Sequence, residues 1–450
     1  GLAAARFLNP AEEWNRTRFR FAVRALLIIP AFWVVAEYLR GWIIGGLPWS
    51  LLAYSQWRNI PIIQMADITG AWGVSYFVLI INLAVFQIGF LIFSSFAARN
   101  AASPARPFDP KKTAAGLLSV TAIVLLAQMG YGFSVLKDRD SFYRDGRDKA
   151  KLRVAVIQGN IPQEQKWDAR IKSIIFEKYK RLTLMAAAEQ PDLIIWPETS
   201  FPGYLEDEPI LAAQLRGVAR QAKAEILIGA PTIGDIEQGL RFYNSALFYG
   251  PDGEEKGRYH KLHLVPFGEY VPFETIFGWI RHFAHIGHFS EGKESVLFTV
   301  SSRYQKPAIR AQFGVLICYE DIFPGLVRNF RQKGADFLVN ITNDAWFGKT
   351  TAPYQHAHAS VFRAVENRVP VVRATNTGLS GFISAEGRLL ATVEDKGEEI
   401  FVTGFRSHEI ILRKGSSFYA RAGDAFVFLT FLISFIGWRL VSRENVYARV

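Results

Sequence analysis

Cysteine is almost absent from this chain: one residue, Cys318, in 450. A lone thiol cannot close an internal disulfide, so no domain is stapled. His282, His285 and His288 lack the cysteine partners and the helix-face spacing of strong zinc patterns, so neither a metal nor any other cofactor is expected. Charge is missing from two long stretches. Residues 70–96 and 114–135 carry no Asp, Glu, Lys or Arg over 27 and 22 positions. Each exceeds the roughly 20 residues that a helix needs to cross a bilayer. The sequence opens on Gly, not Met, and has no leader with a charged start and a cleavage site. A preceding N-terminal part is therefore expected, with an even number of spans if the true N-terminus is cytoplasmic.

What is present is apolar and basic. Hydrophobic residues make up 50% of the chain, and the formal net charge is +11. The excess is not spread evenly. Residues 1–150 hold 16 Lys+Arg against 9 Asp+Glu, residues 413–450 hold 6 against 2, and residues 151–412 hold 30 against 30. A phosphate-binding surface would place its excess on the large central segment, so nucleic acid is not expected as a partner. Basic residues flanking apolar runs instead fit the positive-inside pattern of membrane proteins. Four spans are expected, at about 21–44, 70–96, 114–135 and 425–441. The first contains Glu37 and Arg40, which either compensate one another near the membrane surface or face the protein interior. Arg6, Arg16, Arg18 and Arg20 before the first span, and Arg99, Arg106, Lys111 and Lys112 after the second, place those segments on the cytoplasmic side. The large central segment then lies outside. The expected organisation is a membrane domain over 1–140, a second domain over 151–412, and a C-terminal segment, 413–450, carrying the last span.

The central segment alternates strands with helices. Strands are expected at 153-RVAVIQGN-160, 192-DLIIW-196, 225-EILIGAP-231, 313-FGVLICY-319, 335-ADFLVNIT-342 and 369-VPVVRAT-375. Hairpins are expected around Pro251-Asp252-Gly253 and Glu386-Gly387. Helices fit about 168–189, 208–223, 322–333 and 355–367. Near-continuous Val/Ile/Leu strands with intervening helices define an α/β domain with covered sheets.

Polar residues gather where these strands end. DLIIW runs into Pro197-Glu198-Thr199, FGVLIC into Cys318-Tyr319-Glu320, and FLVNIT into Asn343-Asp344. Sites in open α/β sheets form at the carboxyl ends of strands. A Pro- and Gly-rich segment, 259-YHKLHLVPFGEYVPF-273, adds Lys261 and Glu269. Singly, each residue reads as a surface cap or a solvated charge, and a lone cysteine reads as a small core hydrophobe. Together they supply a base, a cation and a nucleophile. A thiol needs a base to become the attacking thiolate, and a tetrahedral intermediate needs positive charge and N–H donors at its oxygen.

WPETSFP, YHKLHLVPFGEYVPF and LICYED resemble the Glu-Lys-Cys motifs of the nitrilase, or carbon–nitrogen hydrolase, superfamily. QGNIPQEQKWD, HLVPFGEYVP, NDAWFG, VENRVPVVRATNTG, EYLRGW, GLPW and FYARAGD are similar to its membrane-bound apolipoprotein N-acyltransferase branch. The resemblance implies a four-layer α/β/β/α sandwich inserted between transmembrane helices. It implies Glu198, Lys261 and Cys318 as catalytic residues, with Trp167, Glu269, Tyr319 and Glu320 supporting them or binding substrate. The implied reaction is a two-step acyl transfer. Glu198 takes the Cys318 proton and the thiolate attacks an ester carbonyl of a membrane phospholipid, with phosphatidylethanolamine the expected donor. Lys261 and the backbone N–H after Cys318 receive the oxyanion. The thioester then passes its acyl chain to the α-amine of the N-terminal diacylglyceryl-cysteine of an apolipoprotein. A monomer in the bacterial inner membrane is expected, with the catalytic domain on the periplasmic side. Apolar residues 271–289 and Ala345-Trp346-Phe347 are candidate lids that keep water from the thioester. The rival readings are a membrane-tethered amidase that hydrolyses a C–N bond, and an inactive scaffold.

Overall fold

The computed structural model describes residues 18–99, 110–144, 150–166, 168–234, 239–273, 275, 279, 288–303, 308–412 and 414–447. The chain forms two compact units, Gly1–Tyr143 with Ala422–Val450, and Arg144–Arg421. In the first unit, α1 covers Arg18–Arg40, α2 Ala71–Arg99 and α3 Pro110–Arg144, and a C-terminal helix covers Ala425–Tyr447. Ala71–Phe93 and Ala114–Asp140 are long and apolar enough to cross a membrane, while the apolar part of the last helix, Ala425–Leu440, is shorter. The first helix stops at Arg40, short of the expected 44, and a 3₁₀ turn follows at Ile43–Gly45.

Helices distant in sequence are tied together in this unit. Trp72 Nε1 donates to Asp424 Oδ1 at 3.2 Å, and the Tyr76 hydroxyl donates to the Leu27 carbonyl at 2.8 Å. Gly437 lets the last helix lie against α1, because a Cβ there would come within 2.6 Å of Ile28 Cγ2. Glu37 is buried and accepts from the Leu52 N–H at 2.8 Å, while Arg40 donates to the Trp49 carbonyl at 2.9 Å. Both charges thus find backbone partners, and Glu37 faces the protein interior.

The second unit is a sandwich of two six-stranded sheets. Its strands are β1 Lys151–Gln158, β2 Leu193–Ile195, β3 Glu225–Ile233, β4 Phe242–Tyr249, β5 Glu255–His260, β6 Leu297–Ser301, β7 Arg310–Ile317, β8 Phe337–Thr342, β9 Val371–Thr375, β10 Gly381–Ile383, β11 Leu389–Thr392 and β12 Gly404–Ile411. The sheet orders are β12-β1-β2-β3-β4-β5 and β11-β10-β9-β8-β7-β6. The centre of each sheet is parallel, β1-β2-β3 in one and β7-β8-β9 in the other. Phe248 of β4 meets Phe298 and Phe313 of the opposite sheet at ring distances of 5.3 and 5.5 Å. Helices α4 (Lys172–Ala187) and α5 (Pro209–Ala222) pack Phe176, Tyr179 and Leu215 onto β1–β3. On the second sheet, α6 (Pro324–Gln332) sets Phe330 over Gly314, where a Cβ would lie 2.5 Å from the ring. A fourth helix, α7 (Ala352–Asn367), buries Val361, Phe362 and Val365. The fold is the expected α/β class, with every residue of β8 and β9 buried, as strands covered on both faces must be.

Two strands lack a sequence signal. β6 (LFTVS) alternates buried and partly exposed residues, and β12 (GFRSHEII) buries only Ile410. Both are antiparallel partners at the outer side of a parallel strand. Neither shows the apolar run that marks a central strand, because one face of each remains partly wet.

Candidate active site

The loops after β2, β5, β7 and β8 converge. Glu198 follows β2 on a loop laid against β3: the Ser200 and Phe201 N–H groups both donate to the Gly229 carbonyl, at 2.8 and 3.1 Å. Only glycine fits at 229, since a Cβ would stand 2.4 Å from the Pro197 carbonyl oxygen and 2.6 Å from Glu198 Cα. Cys318 ends β7 and opens a 3₁₀ turn, Cys318–Ile322, with φ of 56°. Thr199, next to Glu198, has φ of 44°. Left-handed backbone at non-glycine residues costs on the order of 1–3 kcal/mol and gathers at functional sites.

Glu198, Lys261 and Glu269 form one buried polar cluster. The Lys261 Nζ lies 2.9 Å from Glu269 Oε1 and 3.7 Å from Glu198 Oε1. Glu198 Oε2 accepts from the Asn343 N–H at 2.8 Å, and Glu269 Oε2 accepts from the Val265 N–H at 2.8 Å. Asn244 of β4 joins the two carboxylates. Its Nδ2 donates to Glu198 Oε1 at 2.7 Å and to Glu269 Oε1 at 2.9 Å. Burial alone would lower the Lys261 pKa, but the Glu269 and Glu198 charges outweigh it and hold the ammonium well above its ordinary range. Cys318 is affected in the opposite sense. Burial and the Glu198 carboxylate push its thiol up, Lys261 pulls it down, and a bond to the Thr342 hydroxyl also favours the thiolate. The resting site is therefore a neutral thiol beside a carboxylate–ammonium pair, and a proton must leave sulfur as it attacks.

Glu320 sits two residues from Cys318, but its carboxylate is fully engaged with the protein. Oε1 accepts from the Leu262 and His263 N–H groups at 2.6 and 3.1 Å, Oε2 accepts from the Ile317 N–H at 2.7 Å, and the Tyr259 hydroxyl lies 2.9 Å from each oxygen. Glu320 thus ties the Lys261 loop to the Cys318 turn. Tyr319 packs its ring on Phe323 at 5.0 Å and on His263 at 5.9 Å, and burial pushes its hydroxyl up to about 12. Trp167 lies outside the described residues, as do His282, His285 and most of the candidate lid at 271–289. Trp346 and Phe347 are described, with 71% and 38% of their surface exposed.

Three participants escaped the motif reading. Asn244 is an isolated polar residue in an ordinary-looking segment, and Lys166 lies inside QGNIPQEQKWD, where only the neighbouring tryptophan stood out; Lys166 Nζ donates to the Glu198 carbonyl at 2.9 Å. The third is a fully buried ionic cluster behind the nucleophile. His356 Nδ1 is 2.8 Å from Asp344 Oδ1, its Nε2 is 2.9 Å from Asp321 Oδ1, and Arg373 Nη1 donates to Asp321 Oδ2 at 2.8 Å. The signals were visible: Asp321 belongs to CYED, and Asp344 to NDAWFG. No grouping of metal-ligating side chains is present among the described residues.

A sandwich with a glutamate, a lysine and a cysteine at its strand ends is the architecture of a carbon–nitrogen hydrolase, and the profile of that family, Carbon-nitrogen hydrolase, matches residues 153–411. A second profile, Apolipoprotein N-acyltransferase N-terminal domain, matches residues 2–84. The apolipoprotein N-acyltransferase of Geobacter metallireducens is 39% identical over 90% of this chain and 72% of its own length. That of Methylococcus capsulatus is 35% identical over 82% of this chain and 66% of its own, and that of Pasteurella multocida 30% over 91% and 73%. A solved amidase from Nesterenkonia sp. aligns with 62% of this chain and 96% of its own, at 18% identity and a TM-score of 0.43. This chain belongs to the apolipoprotein N-acyltransferase family.

Proposed function

We propose that this protein moves a fatty acyl chain from a membrane phospholipid, phosphatidylethanolamine foremost, to the α-amine of the N-terminal diacylglyceryl-cysteine of an apolipoprotein. The observation that carries this reading is the meeting of the lone cysteine with the Glu198–Lys261–Glu269 cluster, in a chain of this family. Glu198 takes the thiol proton as sulfur attacks the ester carbonyl. Lys261, anchored by Glu269, supplies the positive charge that a developing oxyanion requires. Glu198 returns the proton to the departing lysophospholipid oxygen. In the second half, the α-amine attacks the thioester carbonyl, and Glu198 accepts the amine proton and passes it to the departing Cys318 sulfur, which leaves as thiol. Tyr319 and Trp167 support the triad or bind substrate, and Glu320 holds the Cys318 turn. The protein acts as a monomer in the bacterial inner membrane, with residues 1–140 and 413–450 as its membrane parts and residues 151–412 catalytic on the periplasmic side. The supporting observations are the long apolar helices Ala71–Phe93 and Ala114–Asp140 and the basic residues that flank them.

The test is intact mass of the detergent-solubilised protein after incubation with phosphatidylethanolamine alone. A single acyl adduct is expected, released by hydroxylamine, absent in Cys318→Ser, and consumed by a diacylglyceryl-cysteine peptide. Steady release of free fatty acid without transfer to the peptide would make the protein a hydrolase instead.

A further inference from the structure

Two buried ammonium groups, not one, serve the reacting pair. Lys261 has carboxylate partners on both sides. Lys166 is different. It is 4% exposed, and its Nζ donates to the Glu198 main-chain carbonyl at 2.9 Å and to Thr199 Oγ1 at 2.5 Å. Both acceptors are neutral, and among the described residues no carboxylate pairs with it at ion-pair distance. Desolvating an ammonium without an anionic partner is unfavourable, and an apolar side chain of that length would fill the same space without the cost. The charge therefore needs a purpose. The groups it senses electrostatically are the Glu198 carboxylate and the Cys318 sulfur.

Charge balance supplies one. Glu198 and Glu269 bring two negative charges, and Lys261 brings one positive charge. Moving the proton from Cys318 to Glu198 leaves that sum unchanged, so without a second cation the pocket holds one uncompensated negative charge both before and after ionisation. Such a charge opposes thiolate formation in a desolvated site. Asp344, which also raises the thiol pKa, is already bonded to His356.

We propose that Lys166 is a positioning residue of the acyl-transfer site: it holds the Glu198 loop through its main chain and supplies the second positive charge that balances ionised Cys318. The proposal rests on the roles given above to Glu198, Lys261 and Cys318. Burial pushes the Lys166 ammonium down to about 8, against the pull of Glu198 and Cys318, so it is charged at neutral pH. The same lysine thus fixes where the base stands and how readily the thiol gives up its proton.

The test uses the sole cysteine as its own probe. The rate of iodoacetamide alkylation of the solubilised full chain is followed by mass at pH 6.0–7.5, where Lys166 is charged, for wild type, Lys166→Met, Lys166→Gln and Lys166→Arg. In the two neutral variants the rate at pH 7 is expected to fall about tenfold. Lys166→Arg keeps the charge and is expected to stay within about twofold of wild type. Lys166→Gln keeps two donors and gives the same reading if the Met variant does not accumulate as folded protein. A wild-type rate in the neutral variants, even with lowered thermal stability, would make Lys166 merely structural and overturn the proposal. So would an Arg variant slowed as far as the neutral ones. Alkylation needs no lipid. A lowered rate in a protein that takes no acyl group would therefore support Lys166 while removing the acyl-transfer reading.

Discussion

The Asp321 carboxylate and the His356 imidazole are joined by a 2.9 Å hydrogen bond in a place where neither is exposed. On its other nitrogen, His356 meets Asp344 at 2.8 Å. Asp321 lies on the turn that begins with Cys318, and Asp344 follows the residue whose N–H holds Glu198. One imidazolium thus couples the loop of the nucleophile to the loop that orients the base. Ion pairs on one ring, one three residues from Cys318 and the other next to Asn343, limit how far the two loops can drift apart.

A stability prediction comes from this clamp. Burial alone would lower the His356 pKa, but Asp321 and Asp344 raise it to about 9 from an ordinary 6.5. A raised folded-state pKa means that the folded state binds the proton more tightly, so its contribution is full below about pH 6.5 and is lost as pH rises through about 9. The melting temperature of the wild type should therefore fall between these pH values. His356→Gln, which leaves two buried carboxylates short of a cation, should cost about 3 kcal/mol and flatten that fall. An unchanged slope in thermal unfolding of the variant would show that the titration belongs elsewhere.

Asn244 should matter more than a neutral amide suggests. Its single amide nitrogen separates two carboxylates that would otherwise face one another. Asn244→Ala is expected to slow acyl-enzyme formation about a hundredfold, in the range found for single preorganised donors. Asn244→Asp should be worse than Ala, because it places a third carboxylate against the first two. The rate of appearance of the hydroxylamine-labile adduct measures both, and an Asp variant faster than Ala would contradict this account.

Gly229→Ala tests whether the position of Glu198 is set by backbone contact. The new methyl would overlap Pro197 and Glu198 main-chain atoms, which cannot give way as a flexible side chain can. Acyl-enzyme formation should fall at least about tenfold, since small misplacements of a reacting group cost rates of that order or more. Gly217→Ala, where a Cβ meets nothing within 4 Å, is the control and should keep wild-type rates.

Trp346 and Phe347 present large apolar surfaces to solvent just after Asp344. Replacing both with Ala should leave iodoacetamide alkylation of Cys318 unchanged while reducing acylation by phospholipid vesicles more than fivefold, because a long acyl chain needs apolar surface and a small reagent does not. Equal loss of both reactions would mean that the pair holds the site together instead of meeting lipid.

Much of this was legible in the sequence, for definite reasons. The parallel strands announced themselves because a strand covered on both faces must be apolar throughout, as in FLVNIT and VVRAT. The charge-free stretches from Gly70 and Ala114 correspond to long helices, apolar enough over Ala71–Phe93 and Ala114–Asp140 to cross a membrane. Strand ends gave Glu198 and Cys318, and the Pro-Gly segment gave Lys261. The edge strands β6 and β12 stayed hidden because a partly wet strand tolerates polar residues, Thr299 and Ser301 in β6 and Arg406 to Glu409 in β12.

Only the tertiary structure decided what each polar side chain faces. The run Cys318-Tyr319-Glu320 reads as three consecutive site residues, yet the turn sends Cys318 toward Glu198 and Lys261, Glu320 into the backbone of the Lys261 loop, and the next residue, Asp321, onto His356. Asn244 carries no motif and Lys166 is one polar residue within QGNIPQEQKWD, and they matter because β4 and the turn after β1 bring them to Glu198. Chain pattern records which residues must avoid water. Which buried charge meets which partner is fixed by distances of about 3 Å between segments far apart in sequence, and those distances exist only once the sheets have packed.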